Sequence, residues 1–152
     1  MKYQQIKKLE RGVVRFLWKN DWFSLHKKVY CTECLLKGIQ NNLGLIPNHY
    51  NAAHVLSKGS YDKLRLHRDN IVPMCVEHHT QFDGQYNGKT RKDMLYYKKM
   101  YQDTKDKLIN HYQHITNTIL PLPDNNDKKY IHLYDLQCYS DKEITQIMED
   151  SN

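Results

Sequence analysis

Cys31-Thr32-Glu33-Cys34 and Cys75-Val76-Glu77-His78-His79 are the two stretches that decide how this chain folds. The first is a C-x2-C knuckle and the second a C-x2-H pair. Two intervening residues let a tight turn aim both side chains at one tetrahedral ion, and thiolate with imidazole is a donor set that zinc takes. The second pair falls where a helix is expected to begin. A zinc ion shared by Cys31, Cys34, Cys75 and His78 would pin the knuckle to that helix, the arrangement called a treble clef. His78 and His79 are neighbours and either can supply the imidazole; the x2 spacing favours His78. A disulfide framework is the alternative, and four cysteines in 152 residues fit it poorly. Cys138 has no partner at ligand spacing and reads as an ordinary buried or free thiol.

Outward from these pairs, the pattern changes character several times. Tyr3, Ile6, Leu9, Val13, Phe16 and Leu17 fall at helical spacing, so residues 1–20 read as a basic amphipathic helix. Gly38, Gly44, Pro47 and several Asn mark residues 35–50 as turn and loop. A short strand is expected from His49 to Leu56, a loop at 57–60, and a helix from near Cys75 to about Phe82. Residues 21–88 thus form the zinc-binding core. Thr90 with Asp93 has the form of a capping box, and Met94, Tyr97, Tyr101, Leu108, Tyr112 and Ile115 make one stripe. Residues 89–120 therefore read as a long amphipathic helix ended by Pro121 and Pro123. Residues 121–152 read as a polar linker and a short acidic helix capped by Ser140.

Composition narrows the class. Mean hydropathy is −0.84, and no apolar run approaches the roughly 20 residues that a membrane-spanning helix needs. The segment MKYQQIKKLERG carries charge with no continuous apolar stretch behind it, so no secretory signal is expected. The net charge of +6 is unevenly spread. Residues 1–30 hold eight basic and two acidic residues, residues 31–88 five of each, residues 89–107 seven and three, and residues 121–152 three and seven. Two basic segments around a neutral centre fit a polyanionic partner such as nucleic acid; solvated faces of Lys-rich helices explain the same counts.

Between the two ligand pairs lie Asn51-Ala-Ala-His54-Val and Asp69-Asn70-Ile-Val-Pro-Met-Cys75. Read in order, the chain has C-x2-C, a His in an apolar strand, an Asn, then C-x2-H followed directly by His79. This resembles the HNH, or ββα-metal, endonucleases. It is similar in particular to the phage Rap/NinG recombination branch, through Trp22-Phe23-Ser24, Ala53-His54-Val55 with Ser57 and Gly59, Leu64-Arg65-Leu66 with Asp69-Asn70, and Gly84. The resemblance covers about residues 20–100. It implies an α+β fold, a small zinc-stapled ββα-metal core with flanking helices. It also implies a DNA endonuclease that uses Mg2+ or Mn2+, acts on branched or recombining DNA as a homodimer, and works in bacterial or infected-host cytoplasm. The long Tyr-rich helix is the candidate dimer surface.

By the same resemblance, His54 matches the general base, Asn70 the residue holding the active-site loop or base, and His79 a ligand of the catalytic metal. Taken singly, His54 also reads as a core histidine satisfied by a carbonyl, and Asn70 as a turn residue. The chain departs from the HNH pattern at two places. His78 stands where the fourth zinc ligand is usually Cys, which is chemically mild. Ala53 stands where most such enzymes have a metal-binding Asp or His; the resemblance to the Rap/NinG branch implies a small residue there. If positions 49, 51 and 53 share a strand face, Asn51 sits about 7 Å from position 53 and His49 about 13 Å. Asn51 is the expected substitute ligand; alternatively His54 itself binds the metal. Lys58, Lys63, Arg65, Arg68, Lys89, Arg91 and Lys92 are the candidate phosphate contacts. Two other functions fit the sequence: a zinc-stapled DNA-binding module without catalysis, suggested by Ala53, and a phage interaction or inhibitor protein, suggested by the acidic C-terminus.

Overall fold

Ile6, Leu9, Val13, Phe16 and Leu17 are all buried along one face of α1 (Lys2–Asn20), as their spacing requires. The computed structural model describes residues 2–23, 27–39, 44–116 and 136–151. After α1 come α2 (Thr32–Leu36), β1 (Ala52–His54), β2 (Ile71–Pro73), α3 (Val76–Asp83), α4 (Gln102–Thr116) and α5 (Asp141–Asp150). The chain is an α+β protein. Among the described residues, no helix is long and apolar enough to cross a membrane.

The two strands pair antiparallel, with Ala52 opposite Pro73, Ala53 opposite Val72 and His54 opposite Ile71. This small sheet divides two cores because successive strand residues face opposite ways. Ala52 and Ile71 join a cluster with α1, α5, Val29 and Leu66. Ala53 joins a second cluster with Met74, Phe82, Met94, Tyr96, Tyr101 and Leu108. The strand is shorter than the sequence predicts. His49–Asn51 is a helical turn capped by Asn48, whose side chain accepts from the Tyr50 amide at 3.0 Å. Positions 49, 51 and 53 therefore do not share a strand face, and the spacing argument that favoured Asn51 does not apply.

The long amphipathic helix also starts differently. The capping box of Thr90 and Asp93 is present, but it closes a separate turn over Arg91–Asp93. Met94 then turns extended, with ψ 143°, and the helix begins afresh. The amides of Leu95 and Tyr96 donate to the Glu33 carboxylate at 2.9 and 2.7 Å. Glu33 is fully buried and lies inside the C-x2-C knuckle, so the knuckle caps this helix. Over Tyr97–Tyr101 the helix widens by one residue per turn. That shift brings Tyr96 and Tyr101, five apart, edge-on to one ring, Phe82, at 5.9 and 5.8 Å. Tyr96 was off the predicted stripe for this reason. The tyrosine face suggested for a dimer covers the chain's own core: Tyr97 stacks on Tyr101 and Tyr112 packs against Tyr61.

α5 carries the capping box its sequence predicts, Ser140 with Glu143, and docks on α1. Gly12 makes the approach possible, since a Cβ there would meet Ser151 Oγ at 2.0 Å. Its acidic residues are partly consumed by this docking: Asp150 pairs with Lys19 at 3.6 Å and Glu143 with Arg68 at 3.1 Å. Cys138 is half-buried and carries no disulfide. The linker at 121–130, Pro121 and Pro123, and the side chains of Tyr3 and Ile115 lie outside the described residues.

Candidate functional site

Cys31 and Cys75 each stand immediately before a helix, and Cys34 and His78 lie in the first turns of those helices. This repeated geometry aims four donors at one point. His78 Nδ1 is 3.4 Å from Cys31 Sγ, 3.4 Å from Cys34 Sγ and 3.3 Å from Cys75 Sγ. All four donor atoms lie within 4.8 Å of one another. Around a tetrahedral zinc with bonds of about 2.3 Å to sulfur and 2.0 Å to nitrogen, a sulfur and a nitrogen stand about 3.5 Å apart. The four residues fit the ion. Their acidity shows the same crowding. A hydrogen bond from Cys31 brings the Cys75 thiol down to about 5, while sharing that proton, together with burial, pushes Cys31 up. Burial pushes Cys34 up as well. A bound cation would relieve this by replacing protons among the sulfurs.

Beside the cluster, β1 and α3 wall a cavity of about 600 Å³. His54, from the end of β1, and His79, from the first turn of α3, both line it. His54 donates through Nε2 to the Arg65 carbonyl at 2.8 Å. A carbonyl only accepts, so Nε2 carries the hydrogen and Nδ1 is the basic nitrogen of the neutral ring. Burial dominates its acidity and holds the imidazolium down to about 4, although Glu10 pulls the other way. His54 is thus a neutral proton acceptor throughout the physiological range. The core-histidine reading and the functional one meet here: a carbonyl satisfies the ring, and the ring still faces a cavity.

His79 is held in the same manner. Its Nδ1 donates to the Tyr50 carbonyl, and Nε2 lies 2.9 Å from Asp83 Oδ2. The hydrogen bond with Asp83 raises its pKa above the ordinary histidine value, against the effect of burial. With Nδ1 donating to the Tyr50 carbonyl, Nε2 of the protonated ring donates to Asp83, so a cation would reach this pair only by displacing that hydrogen. Asp83 was not singled out from the sequence. The signal was present as His79-x3-Asp83 on a predicted helix, which places both on one face.

The other expected residues divide. Asn70 is fully buried. Its Oδ1 accepts from the Leu56 amide at 2.7 Å, and its Nδ2 donates to the Leu56 and Leu64 carbonyls at 3.2 and 3.1 Å. It ties the two ends of the loop that follows His54. Asn51 does not reach the cavity wall; its amide donates to the Ile46 carbonyl at 2.9 Å. His49 lines the cavity instead. Ala53 is buried in the second core, away from the wall, where no ligand could replace it without loss of packing.

Of the candidate phosphate contacts, Lys58 and Arg91 line the cavity, joined by Lys105, which sequence reasoning missed. Lys105 lies one helical turn beyond Tyr101 and sits over its ring at 5.7 Å. Arg91 stacks on Phe82 at 4.4 Å and donates to the Phe82 carbonyl and the Tyr101 hydroxyl. Arg65 pairs with Glu10 of α1, as does Lys58 at 2.8 Å. Burial raises Glu10, but these two cations outweigh it and leave the carboxyl below its usual range. Arg68 lies apart from the others. Its guanidinium binds Asp21 at 2.8 Å, Glu143 and the Cys138 carbonyl and lies over the Tyr139 ring, so it staples α1 to α5. Lys63 is half-buried, Lys89 and Lys92 are exposed, and none of the three lines the cavity.

No protein-family model, curated protein or solved structure matches this chain.

Proposed function

We propose that this chain is a zinc-stapled HNH-type endonuclease that hydrolyses DNA phosphodiester bonds with the help of a divalent metal ion. The observation that carries this reading is the shared cavity of His54 and His79, each ring oriented by a backbone carbonyl. The order β1, β2, α3 with a Cys3His cluster at its edge agrees with the ββα-metal resemblance.

Hydrolysis requires a water oxygen to attack phosphorus while the bond to the 3′ oxygen breaks. The water's proton passes to His54 Nδ1, and the departing 3′ oxygen takes a proton from solvent. The products are a 5′-phosphate and a 3′-hydroxyl, so one water is consumed per bond cut. His54 is in the accepting form at neutral pH because burial keeps it uncharged. Lys58, Arg91 and Lys105 supply positive charge around the diester. His79 and Asp83 would hold Mg2+ or Mn2+, which supplies charge neutralisation at the phosphate and at the leaving oxygen. Asn70 holds the loop between Leu56 and Leu64, and so the position of Arg65, whose carbonyl orients His54. The resemblance to Rap/NinG enzymes makes branched DNA the first substrate to try, and a phage or prophage the setting.

The test is cleavage of supercoiled plasmid and of a synthetic four-way junction with Mg2+, Mn2+ or Ni2+. Wild-type protein is expected to nick DNA only with added metal, and His54→Ala to be slower by at least about 100-fold. Equal cutting by both proteins overturns the base assignment. DNA binding with no cutting under any metal favours a non-catalytic module, the reading to which Ala53 points.

A further inference from the structure

A second cavity, of about 690 Å³, opens between α1 and the segment at 47–49. Lys7, Arg11 and Arg15 of α1, spaced four apart, line one side of it. Lys58 and Arg65 line the other, with Glu10 between them. The cavity thus gathers five cationic side chains around one carboxylate. Glu10 is already shared by Lys58 and Arg65, and Arg15 donates to a neutral carbonyl, that of Asp150. A lining of this charge complements a polyanion.

His49 and Lys58 line both this cavity and the one that holds His54 and His79. The two are therefore neighbours on one cationic path. α1 lies outside the segment that carries the nuclease resemblance.

We infer that the α1 cavity is a phosphate-binding subsite for the DNA strand flanking the scissile bond. Backbone phosphates are held by Lys7, Arg11 and Arg15 and continue past Lys58 into the histidine cavity. Glu10 is the internal counter-ion that sets how much positive charge the strand meets. The inference rests on the nucleic-acid part of the proposed function and extends it to a place.

The experiment measures binding of a fluorescent DNA duplex by anisotropy, without added divalent metal, across roughly 50 to 200 mM salt. Three proteins are compared with wild type, each first shown to be folded by thermal melting. In Lys7→Gln/Arg11→Gln, log K against log salt should become shallower by about two, with affinity roughly tenfold or more weaker at the lowest salt. In Glu10→Gln, binding should tighten and the slope steepen. Lys98→Gln/Lys99→Gln removes the same net charge from exposed positions that line neither cavity, and should leave the slope near wild type. A Lys7→Gln/Arg11→Gln protein indistinguishable from that control overturns the subsite, as does a folded Glu10→Gln protein that binds more weakly than wild type. Cutting is scored separately. Wild type that binds with the expected slope but never cuts removes the nuclease reading and leaves the subsite standing. Wild type that cuts, with variants that bind like the control, does the reverse.

Discussion

His54 is the base in the proposed reaction, and its environment has a measurable consequence. Its imidazolium is held down to about 4 by burial, against about 6.5 in an unfolded chain. Above pH 6.5 both states are neutral there and the residue costs nothing. As pH falls from 6.5 toward 4 the unfolded chain binds the proton first, so stability is lost across that window, by about 3 kcal/mol at most. Thermal melts between pH 7 and pH 5 should show this loss, and His54→Gln should flatten it. At pH 5.5, where an ordinary histidine base would be mostly protonated, His54 should not limit cleavage; a loss there should come from protonation of His79 and be restored by raising the Mn2+ concentration. Asp83 yields a second prediction. Asp83→Asn should weaken Mn2+ binding by about tenfold or more and slow cleavage with it, because the metal loses a charged ligand; a Mn2+ titration followed by electron paramagnetic resonance checks it. Unchanged Mn2+ affinity would place the ion elsewhere.

At the scale of elements, the knuckle and the long helix depend on one carboxylate. Glu33 is buried and accepts from the Leu95 and Tyr96 amides. Glu33→Ala leaves two helix-start donors without partners and should cost about 3 kcal/mol, read by urea denaturation. Gly12 predicts a reversal of an ordinary rule. Alanine in place of a helical glycine usually stabilises by about 1 kcal/mol. Here the added methyl would meet Ser151 Oγ at 2.0 Å and the Ile147 carbonyl at 2.5 Å, so Gly12→Ala should instead destabilise by about 1–3 kcal/mol through the α1–α5 contact. These contacts show why the sequence is only partly legible. Local periodicity finds α1, the start of α3 and α5, since each is decided within a few residues. The box of Thr90 and Asp93 is equally local and does form, yet the helix restarts after Met94 because a carboxylate from residue 33 is available to cap it. The strand predicted from His49 shrinks to Ala52–His54 because Asn48 caps a turn. The ligand pairs were readable as spacing. Asp83 was readable in principle as a helical i, i+4 partner of His79. Glu10 with Arg65, and Arg68 with α5, join segments far apart in the chain and leave no local trace.

For the whole molecule, the Cys3His cluster ties residues 31–34 to residues 75–78 and so binds the knuckle, through Glu33, to the long helix as well. The second core is built around this tie: Cys31, Met74, Phe82 and Tyr96 are all buried in it. Without an ion, three sulfurs and an imidazole share a small space at an electrostatic cost, and the walls of the histidine cavity lose their anchor. Metal binding of this kind is coupled to folding. We therefore expect the native protein to carry zinc, and the fold and the cavity to depend on it. Native mass spectrometry gives the count directly. One zinc ion per chain in the wild-type protein is predicted, with loss of zinc, of cooperative melting and of cleavage together in Cys34→Ser; a fully folded wild-type chain at its metal-free mass would contradict it.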